Sequence, residues 1–187
     1  MQTTAGTELG VSTDYGIVFL GRTARSGNVN LTAFFGDGPS IEKSAIEPLG
    51  GNLYTAEVEI RLPSVPISFD EPAPGDILTV IGRIGASTWS QDVRVLSDPR
   101  VYGVIVEVPE VMRERPDQIG AGIYSIPDGD RSKMRLVAIA SGIITITTAE
   151  GSTDYLTAYG PQHLWRLVTY RQDHNLHKPW IYRPDIL

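Results

Sequence analysis

Glycine and proline punctuate this chain from end to end: 19 Gly and 13 Pro fall among 187 residues, and the longest run free of both is 162–178. Glycine weakens a helix interior by about 1 kcal/mol and proline by about 3 kcal/mol. Long helices are therefore almost excluded elsewhere, and the chain must be built from short pieces.

Between the breaks the pieces are rich in Val, Ile, Thr and Tyr, and several alternate: "YGIVFLG", "NVNLTAFF", "LYTAEVEIRL", "VPISF", "DILTVIGRI", "STWSQDVRVL", "VYGVIVEV", "KMRLVAIA", "GIITITT", "DYLTAY" and "LWRLVTY". Such segments read as strands. In "LYTAEVEIRL" the alternation puts Leu53, Thr55, Glu57, Glu59 and Arg61 on a wet face and Tyr54, Ala56, Val58, Ile60 and Leu62 on a dry one. "MRLVAIASGIITITT" reads as a hairpin turning at Ser141-Gly142. Short helices are expected at "SIEKSAIE", capped by Ser40, and at "PEVMRER", opened by Pro109. The expected fold is all-β and mainly antiparallel, a β-sandwich or β-barrel with one or two short helices and extended termini. The expected organisation is an N-terminal extension over 1–13, a β-rich domain over 14–171 and an extended arm over 172–187.

Charge narrows the function classes. The formal net charge is −6, whereas residues 161–187 carry four cations (Arg166, Arg171, Lys178, Arg183) against Asp173 and Asp185. An acidic body with a mildly basic tail lacks the clustered positive surface that phosphate binding needs, so no nucleic-acid partner is expected. No apolar run approaches the ~20 residues that cross a bilayer, and no membrane partner is expected. The N-terminus has neither a basic nor an apolar segment, which points to folding in a cytoplasm. Absence of cysteine excludes disulfides, thiolate metal sites and a cysteine nucleophile.

Catalytic motifs are not apparent. All three histidines lie late, at His163, His174 and His177. His174 and His177 are spaced i, i+3 and followed by Lys178-Pro179, which does not support the helix that would align their rings for a metal. A metal-dependent enzyme on these three residues is the weakest reading. "IPDGDRS", with Asp128 and Asp130, lacks the remaining ligands of a calcium loop and reads as a turn. The carboxylates Asp70, Glu71 and Asp76 of "FDEPAPGD" read as a solvated, proline-stiffened loop. No metal and no cofactor is expected.

Two aromatic features remain. Trp89, flanked by Ser87, Thr88, Ser90 and Gln91, could offer a stacking platform to a carbohydrate or other ligand. At the end of the chain, "HLWRLVTYR" reads as a last strand, and "PWIYRPDIL" follows as an extended, proline-stiffened arm. Trp165, Trp180, Tyr182 and Arg183 are candidate assembly contacts, because Trp, Tyr and Arg are enriched among interface anchors.

"PAPGDILTVIGRI", a Pro-Gly-Asp strand entry, together with the terminal "HKPWIYRPDIL", resembles virion structural proteins of tailed bacteriophages: head–tail connector, neck, tail or baseplate subunits. That resemblance implies a non-enzymatic structural subunit, a homo-oligomer contacting other structural subunits through its arms, assembled in a host cytoplasm and residing in the virion.

Overall fold

The computed structural model describes residues 8–21, 29–33, 36–41, 46–56, 63–98, 101 and 103–173. Twelve strands and two helices lie among them. The N-terminal part holds β1 (Gly10–Thr13), β2 (Gly16–Phe19), β3 (Val29–Ala33), β4 (Gly36–Ile41), β5 (Ile46–Gly50) and β6 (Leu53–Ala56). The C-terminal part holds β7 (Ile77–Ile84), β8 (Ser87–Arg94), β9 (Val104–Val106), α1 (Glu110–Glu114), β10 (Gly122–Ser125), β11 (Arg135–Thr148), β12 (Gly151–Tyr159) and α2 (Pro161–Asp173). The all-β, mainly antiparallel class with short helices is what the punctuated, alternating sequence called for.

The strands form an antiparallel sheet in the order β1-β2-β6-β5, a β3-β4 hairpin, and a six-stranded antiparallel sheet in the order β8-β7-β10-β11-β12-β9. The larger sheet curls until its ends meet. Val95 pairs with Val106, Glu107 N donates to Arg94 O at 3.0 Å, and Leu96 N donates to Ile105 O at 2.9 Å. Closure removes most of the exposed edge that a flat sheet would carry. Leu78, Val80, Val93, Ile123, Leu136, Ile139 and Leu156 fill the interior.

Residues 63–76 connect the two parts and pair with both. Val65 N donates to Ser12 O at 3.1 Å, beside β1; Ser68 N donates to Leu136 O and Leu136 N to Pro66 O, each at 2.8 Å, beside β11. The connection is thus hydrogen-bonded to both sheets.

Several sequence expectations change. "HLWRLVTYR" is not a strand but most of α2. Leu164, Leu167 and Val168 recur at helical spacing and are buried, at 0%, 0% and 6% exposure, so one stripe faces the core. Pro161 sits at the start of the helix, where its missing N–H has no partner to lose. This is the longest run without Gly or Pro, so a helix of this length meets no breaker here. The expected wet face of "LYTAEVEIRL" is absent from the described part: Leu53 and Thr55 are buried as well as Ala56, and Tyr54 is half-buried, its ring stacked 6.2 Å from Phe19. Residues 57–62 lie outside the described ones. Ser40 caps no helix and belongs to β4. The helix expected at "PEVMRER" is α1, with Pro109 at its N-cap.

Candidate functional site

β11 is a 14-residue strand with two different neighbours. On one side it pairs with β10, from Ser125↔Arg135 to Gly122↔Ile139. On the other it pairs with β12, from Ile139↔Tyr159 to Thr148↔Gly151, with a register shift between Ala140 and Gly142. There is no turn at Ser141-Gly142, because the extra residue there is absorbed as a bulge and the strand runs on. Ala140 still donates to Ala121 O and accepts from Gly120 N, both at 2.9 Å. Beyond it no described strand lies on the β10 side. Residues 141–148 and 151–155 therefore form a two-stranded ribbon whose β11 edge is open among the described residues.

The bulge and ribbon are firmly held. Ser141 Oγ lies 3.0 Å from Thr157 Oγ1, which donates to Gly142 O at 2.9 Å. Asp154 accepts from Thr145 Oγ1 at 2.7 Å and from Arg113 of α1 at 2.6 Å. Those two partners hold its carboxyl below the usual range. On the opposite face Tyr155 Oη donates to Asp98 at 3.2 Å. The tight turn at Ala149-Glu150 closes on the Thr148–Gly151 pair, so ladder alternation gives Ile144, Ile146 and Thr148 to β12. Ile143, Thr145 and Thr147 then direct their backbone N–H and C=O groups to the open edge. Ile143 and Ile144, on opposite faces of the ribbon, are each 36% exposed.

The chain between α1 and β10 is committed to structure. The backbone N–H groups of Gln118, Ile119, Gly120 and Ala121 donate to Arg115, Pro116, Ala140 and Gln118 carbonyls. Gln118 is 1% exposed. Its Oε1 accepts from Trp89 Nε1 at 2.7 Å and from Arg83 N at 3.0 Å, and its Nε2 donates to Asp117 at 3.2 Å. Trp89, the ligand-platform candidate, is half-buried; its indole N–H is held by Gln118 and its ring lies over Gly82, where a Cβ would strike it.

A third cluster joins the two parts of the chain. Tyr159 Oη accepts from Asn52 N at 3.1 Å, and Arg166 Nη1 donates to Leu49 O at 3.2 Å, so β12 and α2 clasp the turn between β5 and β6. Gly50 and Gly51 form that turn with φ of 106° and 61°, a region where only glycine is unstrained. His163 lies edge-on to Tyr159 at 4.9 Å. Burial, followed by the charge of Arg166, lowers its pKa from the ordinary 6.5, against a smaller opposing effect of Glu71. Below 6.5 the unfolded chain then binds more protons at this position than the folded one. Stability should fall as pH drops from about 7 through this window, and His163→Gln should flatten the slope. Urea midpoints measured across that range check this.

The other candidates read from the sequence are dispersed. Trp165 is 51% exposed on α2, with its ring edge-to-face with Phe69 at 5.0 Å. Trp180, Tyr182, Arg183, His174 and His177 lie outside the described residues. Among those described, no group of three His, Asp or Glu side chains is placed to hold a metal. Asp76 accepts from Ala73 N at 2.8 Å and Asp130 from Ser132 N at 3.0 Å, as turn residues do. The open edge of β11 was missed altogether. The alternation "ITITT" running on to the turn "AEG" marks the strand there but not the absence of a neighbour beside it.

A six-stranded antiparallel barrel joined by a paired connector to a second β-sheet and followed by a helix is a fold found among solved proteases. No protein-family model and no curated protein matches the sequence, but solved structures match the fold. The chain is similar to an HtrA-type protease solved with a decapeptide, at a TM-score of 0.59 and 12% identity, covering 91% of this chain and 52% of that one. It is similar to the MamO protease domain from Magnetospirillum magneticum, at 0.54 and 15%, covering 91% of each. It is also similar to the tobacco vein mottling virus protease, at 0.51 and 17%, covering 80% of this chain and 69% of that one. The chain thus spans about half the length of the HtrA-type enzyme.

These matches overturn the resemblance to tailed-bacteriophage virion proteins. They also overturn the expectation of a non-enzymatic head–tail, neck or tail subunit: the matched structures are proteases. The misreading has a physical source, because a Pro-Gly-Asp strand entry is a local turn solution that does not specify the fold around it.

Proposed function

We propose that this chain engages an extended polypeptide, which adds as a strand to the open edge of β11. The observation that carries the reading is that edge: Ile143, Thr145 and Thr147 offer alternating backbone donors and acceptors on a ribbon braced by Asp154, Arg113 and Tyr155. Main-chain hydrogen bonds of this kind supply affinity, and the flanking side chains supply selectivity. The fold supports the same reading, since one matched structure is a protease solved with a decapeptide.

Triads of the chymotrypsin type follow the chain order His, Asp, Ser. In these 187 residues the first histidine is His163 and no serine follows it. Hydrolysis by this chain would therefore rest on groups other than a triad in that order.

Incubation with a random decapeptide library, read by mass spectrometry for peptides bound intact and peptides cut, tests the reading. N-methylation of every second backbone nitrogen in a selected peptide should weaken binding about tenfold per lost hydrogen bond, with no loss at the alternating positions. Absence of any bound or cut peptide, or indifference to N-methylation, overturns it.

A further inference from the structure

Trp165 and Phe69 form a surface pair whose members are 51% and 37% exposed. Isolated exposed apolar side chains need no explanation. Here two aromatic rings meet edge to face, beside the exposed carboxylates Asp70 and Glu71. Glu71 acts electrostatically on His163, which places its charge beside α2. The result is an apolar centre with Asp70 and Glu71 on its connector side, while the neighbouring cation of α2, Arg166, is turned to Leu49 O.

We propose that this patch is the docking site of the chain's own residues 174–187. Their composition is the complement of the patch: Trp180, Ile181 and Tyr182 lie between Pro179 and Pro184, with Lys178 and Arg183 at the flanks. The aromatic and aliphatic side chains match the Phe69–Trp165 centre, and the two cations match Asp70 and Glu71. The two prolines lower the ordering entropy of an extended segment, so less interaction energy is spent on immobilising it. Connection decides between this occupant and a second copy. α2 ends at Asp173, eight residues or about 12 Å beyond Trp165, and fourteen extended residues reach up to about 45 Å. A segment tethered so close experiences an effective concentration in the millimolar range, far above that of a separate molecule at ordinary protein concentrations.

The absence of cysteine makes disulfide trapping clean. Gln162 is exposed one turn before Trp165 and Arg166, and Thr147 is exposed at the far end of the β11–β12 ribbon. The variant carrying Gln162→Cys and Ile181→Cys, oxidised at low micromolar concentration, should form an intramolecular disulfide at least about tenfold faster than the control pair Thr147→Cys with Ile181→Cys. Adding Trp165→Ala to the first variant should slow it toward the control. A disulfide-linked dimer as the main product would assign the patch to a second copy and overturn the proposal. Equal rates for the two pairs, or no effect of Trp165→Ala, would overturn it as well.

Discussion

Replacing Leu167 by alanine should destabilise the protein by about 3 kcal/mol, whereas Gln162→Ala should change stability by less than about 0.5 kcal/mol. Leu167 is fully buried, together with Leu164, on the inner stripe of α2. That stripe packs into the same core as Leu49 and Leu53 of the N-terminal sheet and Leu156 and Ala158 of β12. Truncation removes apolar area from this junction and leaves a cavity, and both losses add. The neighbouring ties, Arg166 to Leu49 O and Tyr159 to Asn52 N, limit how far the helix can move in to refill it. Urea unfolding followed by far-UV circular dichroism measures both variants. Equal effects at the two positions would mean that α2 does not face the core as described.

The second large effect is expected at Gln118. Gln118→Leu conserves apolar volume in a buried position but removes the acceptor for Trp89 Nε1 and Arg83 N. A buried donor stripped of its acceptor costs about 1–3 kcal/mol, and Trp89 offers no second hydrogen-bonding group to compensate. Destabilisation of about 2–4 kcal/mol is expected, accompanied by a change in the near-ultraviolet signal of the indole. Gln118→Glu keeps the acceptor but sets a second carboxylate beside Asp117, whose own pKa is lowered chiefly by its bond to Arg115. That variant should be less stable at neutral pH than near pH 4, because protonation relieves the repulsion. A Gln118→Leu variant as stable as the parent would show that the network contributes nothing.

Legibility in the sequence followed the range of the interactions involved. β7 and β8 were readable because Leu78, Val80 and Val93 alternate with less buried neighbours, and the turn residues between them are local. α1 was readable from Pro109 and the polar run behind it. The faces of β6 were not, since Leu53 and Thr55 on one face and Ala56 on the other are all buried, and a short strand covered on both sides has no wet face to read. The candidate site was less legible still. Trp89 reads as a platform until Gln118, 29 residues away in the chain, takes its N–H. Open edges are invisible to periodicity, because an edge is defined by the strand that is not beside it.

What the sequence determined by itself was local: short elements dictated by glycine and proline, and an antiparallel β class dictated by alternating Val, Ile and Thr. Only the tertiary structure decided that residues 164–168 coil rather than extend. Leu164, Leu167 and Val168 satisfy a helical stripe and a two-sided strand about equally, and the neighbouring surface chose between them. Tertiary structure likewise decided that β11 runs through Ser141-Gly142 instead of turning there. A small-residue pair can serve a turn or a bulge, and the pairing of Ile143 to Thr148 with β12 holds the strand straight.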